Sequence, residues 1–142
     1  GQVFMDPADN PFTTVDRLLH ALEGRYDVCV ADFHAEATSE KAAFAYCFDG
    51  RIQCIYGTHT HVATADARLL PKGSAFITDI GMCGVEESVI GTGYEPVVRL
   101  YTTRVRERFF AAEGPAILRG AVFTINTETR CVTAVRSIKY EA

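Results

Sequence analysis

The chain has 142 residues, of which 48% are hydrophobic and 23% charged, a balance that fits one folded domain and excludes a disordered or low-complexity segment. A net charge of −4 excludes a general binder of phosphate backbones and leaves open a nucleotide held in one local pocket.

The opening "GQVFM" reads as a short apolar strand with nothing before it. Asp6 to Phe12, "DPADNPF", is a turn cluster. A helix is expected from Thr14 or Val15 to Leu22. Leu18, Leu19 and Leu22 would form its apolar face, and Gly24 would cap its end. Tyr26 to Phe33 reads as a buried strand. The next segment reads as a helix capped by Thr38 or Ser39, with Glu40 in its first turn and Gly50 ending it. Ile52 to Tyr56 and Ser74 to Ile80 are two further buried strands, separated by a turn at Pro71 to Gly73. Glu95 to Thr103 favours a helix. The segments "RFFAA", "AILRGAVFTIN" and "CVTAVRSIKY" read as strands, the last two joined at "TETR". The pattern predicts an α/β core followed by antiparallel strands, as one domain over residues 1–142. Five cysteines, with no CxxC pair, argue for free thiols in a reducing cytosol. Cys29, Cys47 and Cys54 fall in apolar stretches and are expected to be buried. No run is long enough to span a bilayer, so a cytoplasmic protein without a membrane partner is expected.

Three strands each deliver a polar group to one edge. His34 follows the first, His59 and His61 follow the second, and Asp79 ends the third. In open α/β sheets, ligands bind outside the carboxyl ends of the strands. Neutral imidazole is a common ligand for zinc, iron and manganese. Residues i and i+2 of an extended segment share a side, so His59 and His61 could reach one metal, or one metal each of a close pair. Equally, they could be polar residues of a solvated turn. Thr58 and Thr60 would face away and hold the loop by local hydrogen bonds. Asp32, Glu36, Asp66 and Asp79 are the nearby anionic candidates, with Asp32 expected to point to the face opposite His34. A glycine-containing turn, "DIGMCG", could approach a phosphate or simply be tight. His20 reads as structural and without a partner, and "RVRER" as a solvated face.

The blocks "DFHAEATSEK", "GTHTHVATAD" and "ITDIGMCG" resemble a bacterial family of calcineurin-like metallophosphoesterases, the 2',3'-cyclic-nucleotide 2'-phosphodiesterases. The resemblance runs over essentially the whole chain, with "RFFAAEG" similar to the family's tail. It implies half of a calcineurin-like αβ sandwich, a mixed sheet with C-terminal antiparallel strands. It also implies two divalent metal ions (Fe, Mn, Zn or Mg) and a cyclic nucleotide or related phosphodiester as substrate. By the same resemblance, His34 and His59 match two ligands of one metal and His61 a ligand of the other. Glu36, Thr38, Thr58 and Thr60 match motif positions without an assigned contact. The family's other ligands (an Asp, a bridging Glu and an Asn) and its general-acid His belong to an amino-terminal half. The chain is therefore expected to be the C-terminal portion of such a domain. It would pair with an N-terminal half or with a second copy. Two alternatives stand beside this: a non-catalytic fragment with an incomplete metal site, and a mononuclear zinc hydrolase using His34, His59 and His61.

Overall fold

The computed structural model describes residues 1–5 and 9–141, so the Asp6–Ala8 part of the expected turn cluster lies outside the described residues. Helix α1 (Pro11–Ala21) starts three residues earlier than the apolar pattern suggests. Asn10 accepts hydrogen bonds from the Phe12 and Thr13 amides, and Pro11 sits at the first helical position, where its missing N–H is harmless. The face that packs is Phe12, Val15 and Leu19, while Leu18 and Leu22 stay exposed. His20 is not without a partner: its Nδ1 lies 2.8 Å from the Asp16 carbonyl oxygen.

Strand β1 (Val30–His34) is shorter than the run that announced it. It is followed by helix α2 (Thr38–Cys47), then β2 (Cys54–Thr58), β3 (Arg68–Leu69) and β4 (Ala75–Ile77). The order across the sheet is β1-β2-β4-β3, with β1, β2 and β4 parallel and β3 antiparallel to β4. Neither Thr38 nor Ser39 caps α2: the N-cap is Ala37, with no side-chain hydrogen bond. Glu40 instead turns inward and accepts the Gln2 and Val3 amides at 2.7 and 3.2 Å. Residues 1–5 form a turn, not the expected strand.

Helix α2 buries Lys41, Phe44 and Ala45, and Phe48 follows at the next turn. This is the i, i+3, i+4, i+7 stripe of a core-facing helix. Phe33 and Phe44 stack with centroids 4.1 Å apart, and Phe12 packs edge-on to Phe44 at 5.7 Å. That aromatic cluster pins α1 and α2 to one face of the sheet.

The second sheet has the order β5-β6-β7. Strand β5 (Gly84–Val85) pairs with β6 (Ala116–Ile125), which forms a long hairpin with β7 (Val132–Glu141). Phe123, Ile125, Val132 and Val135 pack on Cys54 and Ala75, so the hairpin crosses the face opposite the helices. Helix α3 (Tyr94–Thr103) begins one residue before its expected start and ends as expected. The "RFFAA" segment is not a strand; it contributes only a bridge from Ala111 to Thr92. The "RVRER" segment is fully exposed, as expected of a solvated face. All five cysteines are free, but only Cys54 is buried; Cys47 lies on the exposed side of α2. No helix among the described residues is long and apolar enough to cross a membrane. The chain is thus a mixed α/β fold with one mixed and one antiparallel sheet.

Candidate functional site

The parallel pairing of β1 and β2 sets His34 directly opposite Thr58. Along β1, Phe33 and Ala35 are buried while Asp32, His34 and Glu36 are exposed. The period-2 rule therefore puts Asp32 on the same face as His34, which overturns the expectation that it points away. Thr58 does not face away either. Its hydroxyl donates to Asp32 Oδ1 at 2.7 Å, and its oxygen lies 3.0 Å from His34 Nδ1.

These contacts fix a tautomer. Thr58 has one hydroxyl proton and gives it to Asp32, a pure acceptor when ionised, so Thr58 must accept from His34 Nδ1–H. A neutral His34 then carries a bare lone pair on Nε2. That lone pair faces His59 Nδ1 at 3.0 Å, with the rings nearly perpendicular at 82°. The other His59 nitrogen, Nε2, lies 2.5 Å from Glu36 Oε2. A neutral His59 has one ring proton and two acceptors facing it. The row Asp32–Thr58–His34–His59–Glu36 is thus one continuous run of hydrogen-bonding partners along this edge of the sheet. A carboxylate that orients an imidazole through an intervening hydroxyl is the arrangement that supports metal-binding histidines.

His61 stands apart. The segment from His59 to His61 is not extended, because His59 has φ of 115° and His61 of 65°. The i, i+2 argument therefore does not apply. His61 is exposed and makes no hydrogen bond or ion pair with any described residue. Among the described residues, no group of three or more His, Cys, Asp or Glu side chains is placed to hold a metal ion. The donor set fits at most part of a metal site: two imidazole nitrogens stand 3.0 Å apart with His34 oriented by Thr58, and among the described residues no further donors converge on them to hold an ion.

The loop itself is held from beneath. Asp79, wholly buried, accepts the Thr60 amide at 3.0 Å and the Gly81 amide at 2.9 Å. Its other partner is the Lys41 ammonium at 2.9 Å, a pair in which both side chains are 1% exposed. Burial would raise the Asp79 carboxyl, but Lys41 and the Thr60 and Gly81 amides outweigh it and hold the group below the usual carboxylate range. The turn "DIGMCG" is therefore tight by construction, with the Gly81 amide spent on Asp79. Gly57 permits the approach of β4, since a Cβ there would overlap the Thr78 carbonyl and crowd the Lys41 stem. On the far side, Asp66 accepts the Thr64 hydroxyl at 2.7 Å and the Thr78 hydroxyl at 2.6 Å. Burial works to raise its carboxyl; the Thr64 and Thr78 hydroxyls, the Thr78 amide and Arg68 override it and hold it at about 2. Thr60 closes a local turn through Val62, as expected of it.

Sequence reasoning missed Lys41 and Asp32. Lys41 sits in the stretch "EKAAFAYCF", whose small and apolar neighbours at 42, 44 and 45 mark a core-facing stripe that includes it. Asp32 needed only the period-2 rule applied to His34.

The family model of YmdB-like proteins matches residues 1–138. A Bacillus subtilis protein named 2',3'-cyclic-nucleotide 2'-phosphodiesterase is 42% identical over 138 residues, which is 97% of this chain and 52% of that protein. A crystal structure of a hypothetical protein from Thermus thermophilus superposes with a TM-score of 0.89 at 41% identity, covering 99% of this chain and 54% of that one. A second, described as a novel phosphatase from Mycoplasma pneumoniae, gives 0.83 at 44% identity, covering 93% and 47%. The chain thus spans about half the length of the curated relatives it matches.

Proposed function

The chain belongs to the YmdB-like protein family, and from that premise we propose that it supplies one part of a metal-dependent phosphodiesterase acting on a cyclic nucleotide or related phosphodiester. The observation that carries this reading is the pair His34 Nε2 and His59 Nδ1, 3.0 Å apart, with His34 oriented by Thr58 and Asp32. The name of the Bacillus subtilis relative supports the substrate class. His34 and His59 would hold one divalent ion and His61 would contribute to a second. Such ions, when bound, act as Lewis acids and neutralise charge on phosphate oxygens. The chain's own residues do the positioning. Asp32 and Thr58 fix the His34 tautomer, Glu36 holds His59, and Asp79 with Gly57 fixes the loop that carries both His59 and His61. His34 and Glu36 are exposed, so a substrate can reach them from solvent. The free thiols agree with a cytoplasmic setting.

The test is hydrolysis of 2',3'-cyclic AMP with added manganese by the wild type and by His59→Ala. Turnover lost on substitution supports the reading. Turnover unchanged at saturating metal overturns the assignment of His59.

A second reading is favoured by two observations. Among the described residues, no third side chain is placed with the imidazole pair so as to hold a metal ion. The sheet face that carries Asp32 and His34 also leaves Val30 57% exposed, beside an apolar hollow of about 390 Å³ lined by Cys54, Tyr56, Ile80 and Phe123. In this reading the chain is half of a calcineurin-like αβ sandwich whose remaining ligands come from a partner half or a second copy seated on that face. No turnover, with at most one loosely held ion per chain, supports it.

A further inference from the structure

Beside His61 lies a cleft of about 260 Å³ that the metal reading leaves unused. Its walls are apolar, from Val62, Met82, Ile90 and Ile117, and its polar members are His61, the Arg119–Glu86 pair and Ser88, whose hydroxyl is engaged by the Val85 carbonyl and the Gly91 amide. Drug-sized ligand sites run to about 300–1,000 Å³, so this one has room for a single ring system. Two glycines border it, where added side chains would crowd its lining. A Cβ on Gly81 would lie 3.1 Å from the Arg119 stem, and one on Gly84 would lie 3.2 Å from the Met82 methyl.

The Arg119 guanidinium, anchored on β6, donates to Glu86 Oε1 at 2.8 Å. Glu86 is held in turn by Lys139 at 2.5 Å. The hydrogen bond from Lys139 keeps Glu86 below its usual range, so it stays an acceptor. Guanidinium and carboxylate side by side present donors and acceptors next to each other. That is the complement of a nucleobase edge, and an aliphatic group has no use for it. Methionine sulfur and methyl groups favour aromatic faces. We infer that this cleft is the subsite for the base of a nucleotide substrate, with Met82 against the ring and the Arg119–Glu86 pair reading its edge, while the phosphate lies towards His61. The inference rests on the phosphodiesterase reading, which brings a nucleotide to this loop.

The test is a nuclear magnetic resonance titration of the chain with labelled methionine methyls. The probes are adenosine 3'-monophosphate, ribose 5-phosphate and inorganic phosphate. The Met82 methyl is expected to move upfield, by ring current, with the adenosine compound alone. Adenosine 3'-monophosphate should bind roughly tenfold or more tighter than ribose 5-phosphate, the gain expected of one stacked base. Arg119→Met, which keeps the stem and drops the guanidinium, should erase most of that gain while circular dichroism stays unchanged. A Met82 response that is absent, or equal for all three probes, overturns the inference. So does a full adenosine preference in both Arg119→Met and Glu86→Gln. The imidazole signals of His34 and His59, followed with phosphate and manganese, report the metal reading separately. A base-dependent shift without any histidine response would leave the cleft standing and remove the phosphodiesterase reading.

Discussion

Replacing Lys41 by Met removes the cation from a pair that is 1% exposed on both sides and keeps most of the apolar stem that packs on Gly57. Asp79 is then left charged, buried and supported only by the Thr60 and Gly81 amides. Breaking a buried ion pair from one side costs about 3–5 kcal/mol, because the surviving charge has no water and no partner. Small domains are stable by only about 5–15 kcal/mol, so the midpoint of urea unfolding should fall sharply with little change in slope. Asp79→Asn should be similarly damaging, since it strands the Lys41 ammonium. The double variant Lys41→Met/Asp79→Asn buries no charge at either position. Its cost should fall short of the sum of the single costs by more than about 1 kcal/mol, within the range seen for coupled neighbours. Additivity to within about 0.5 kcal/mol would refute the claim that this pair is the strut beneath the histidine loop.

Asp66 gives a pH signature. Its folded carboxyl is held at about 2 against an ordinary 3.8, so its contribution is complete above 3.8 and is lost as pH falls towards 2. Asp66→Asn should flatten that part of the melting temperature profile, and a wild-type slope in the variant would contradict it. Gly57→Ala should prevent folding or destabilise by several kcal/mol, read by urea unfolding, because the new methyl overlaps the Thr78 carbonyl. Asn10→Ala removes the acceptor for the Phe12 and Thr13 amides and should cost about 1 kcal/mol. A loss below a few tenths would show that the α1 cap is replaced by solvent.

The βαβ order was legible because β2 and β4 lie in short, largely apolar runs and Gly50 marks the end of the α2 segment. What escaped were the two-residue strands β3 and β5, which carry too few side chains to show a period. The "RFFAA" segment has strand-forming residues but lacks a full partner strand, so propensity alone misled. That His34 and His59 meet at one edge was legible from their place at the ends of parallel strands. That His61 stands apart from them was not, because the left-handed backbone at 59 and 61 breaks the two-residue alternation. Lys41 escaped because a lysine on a helix ordinarily faces water. Here the buried Asp79 carboxylate, 38 residues away, holds it inside.

Whether His34 and His59 form one metal-binding pair is read out by calorimetric titration of the chain with manganese. At least one ion should bind per chain, with binding lost in His34→Ala and in His59→Ala while both variants keep the wild-type fold. No binding by the wild type, or binding unchanged in the two variants, would contradict it.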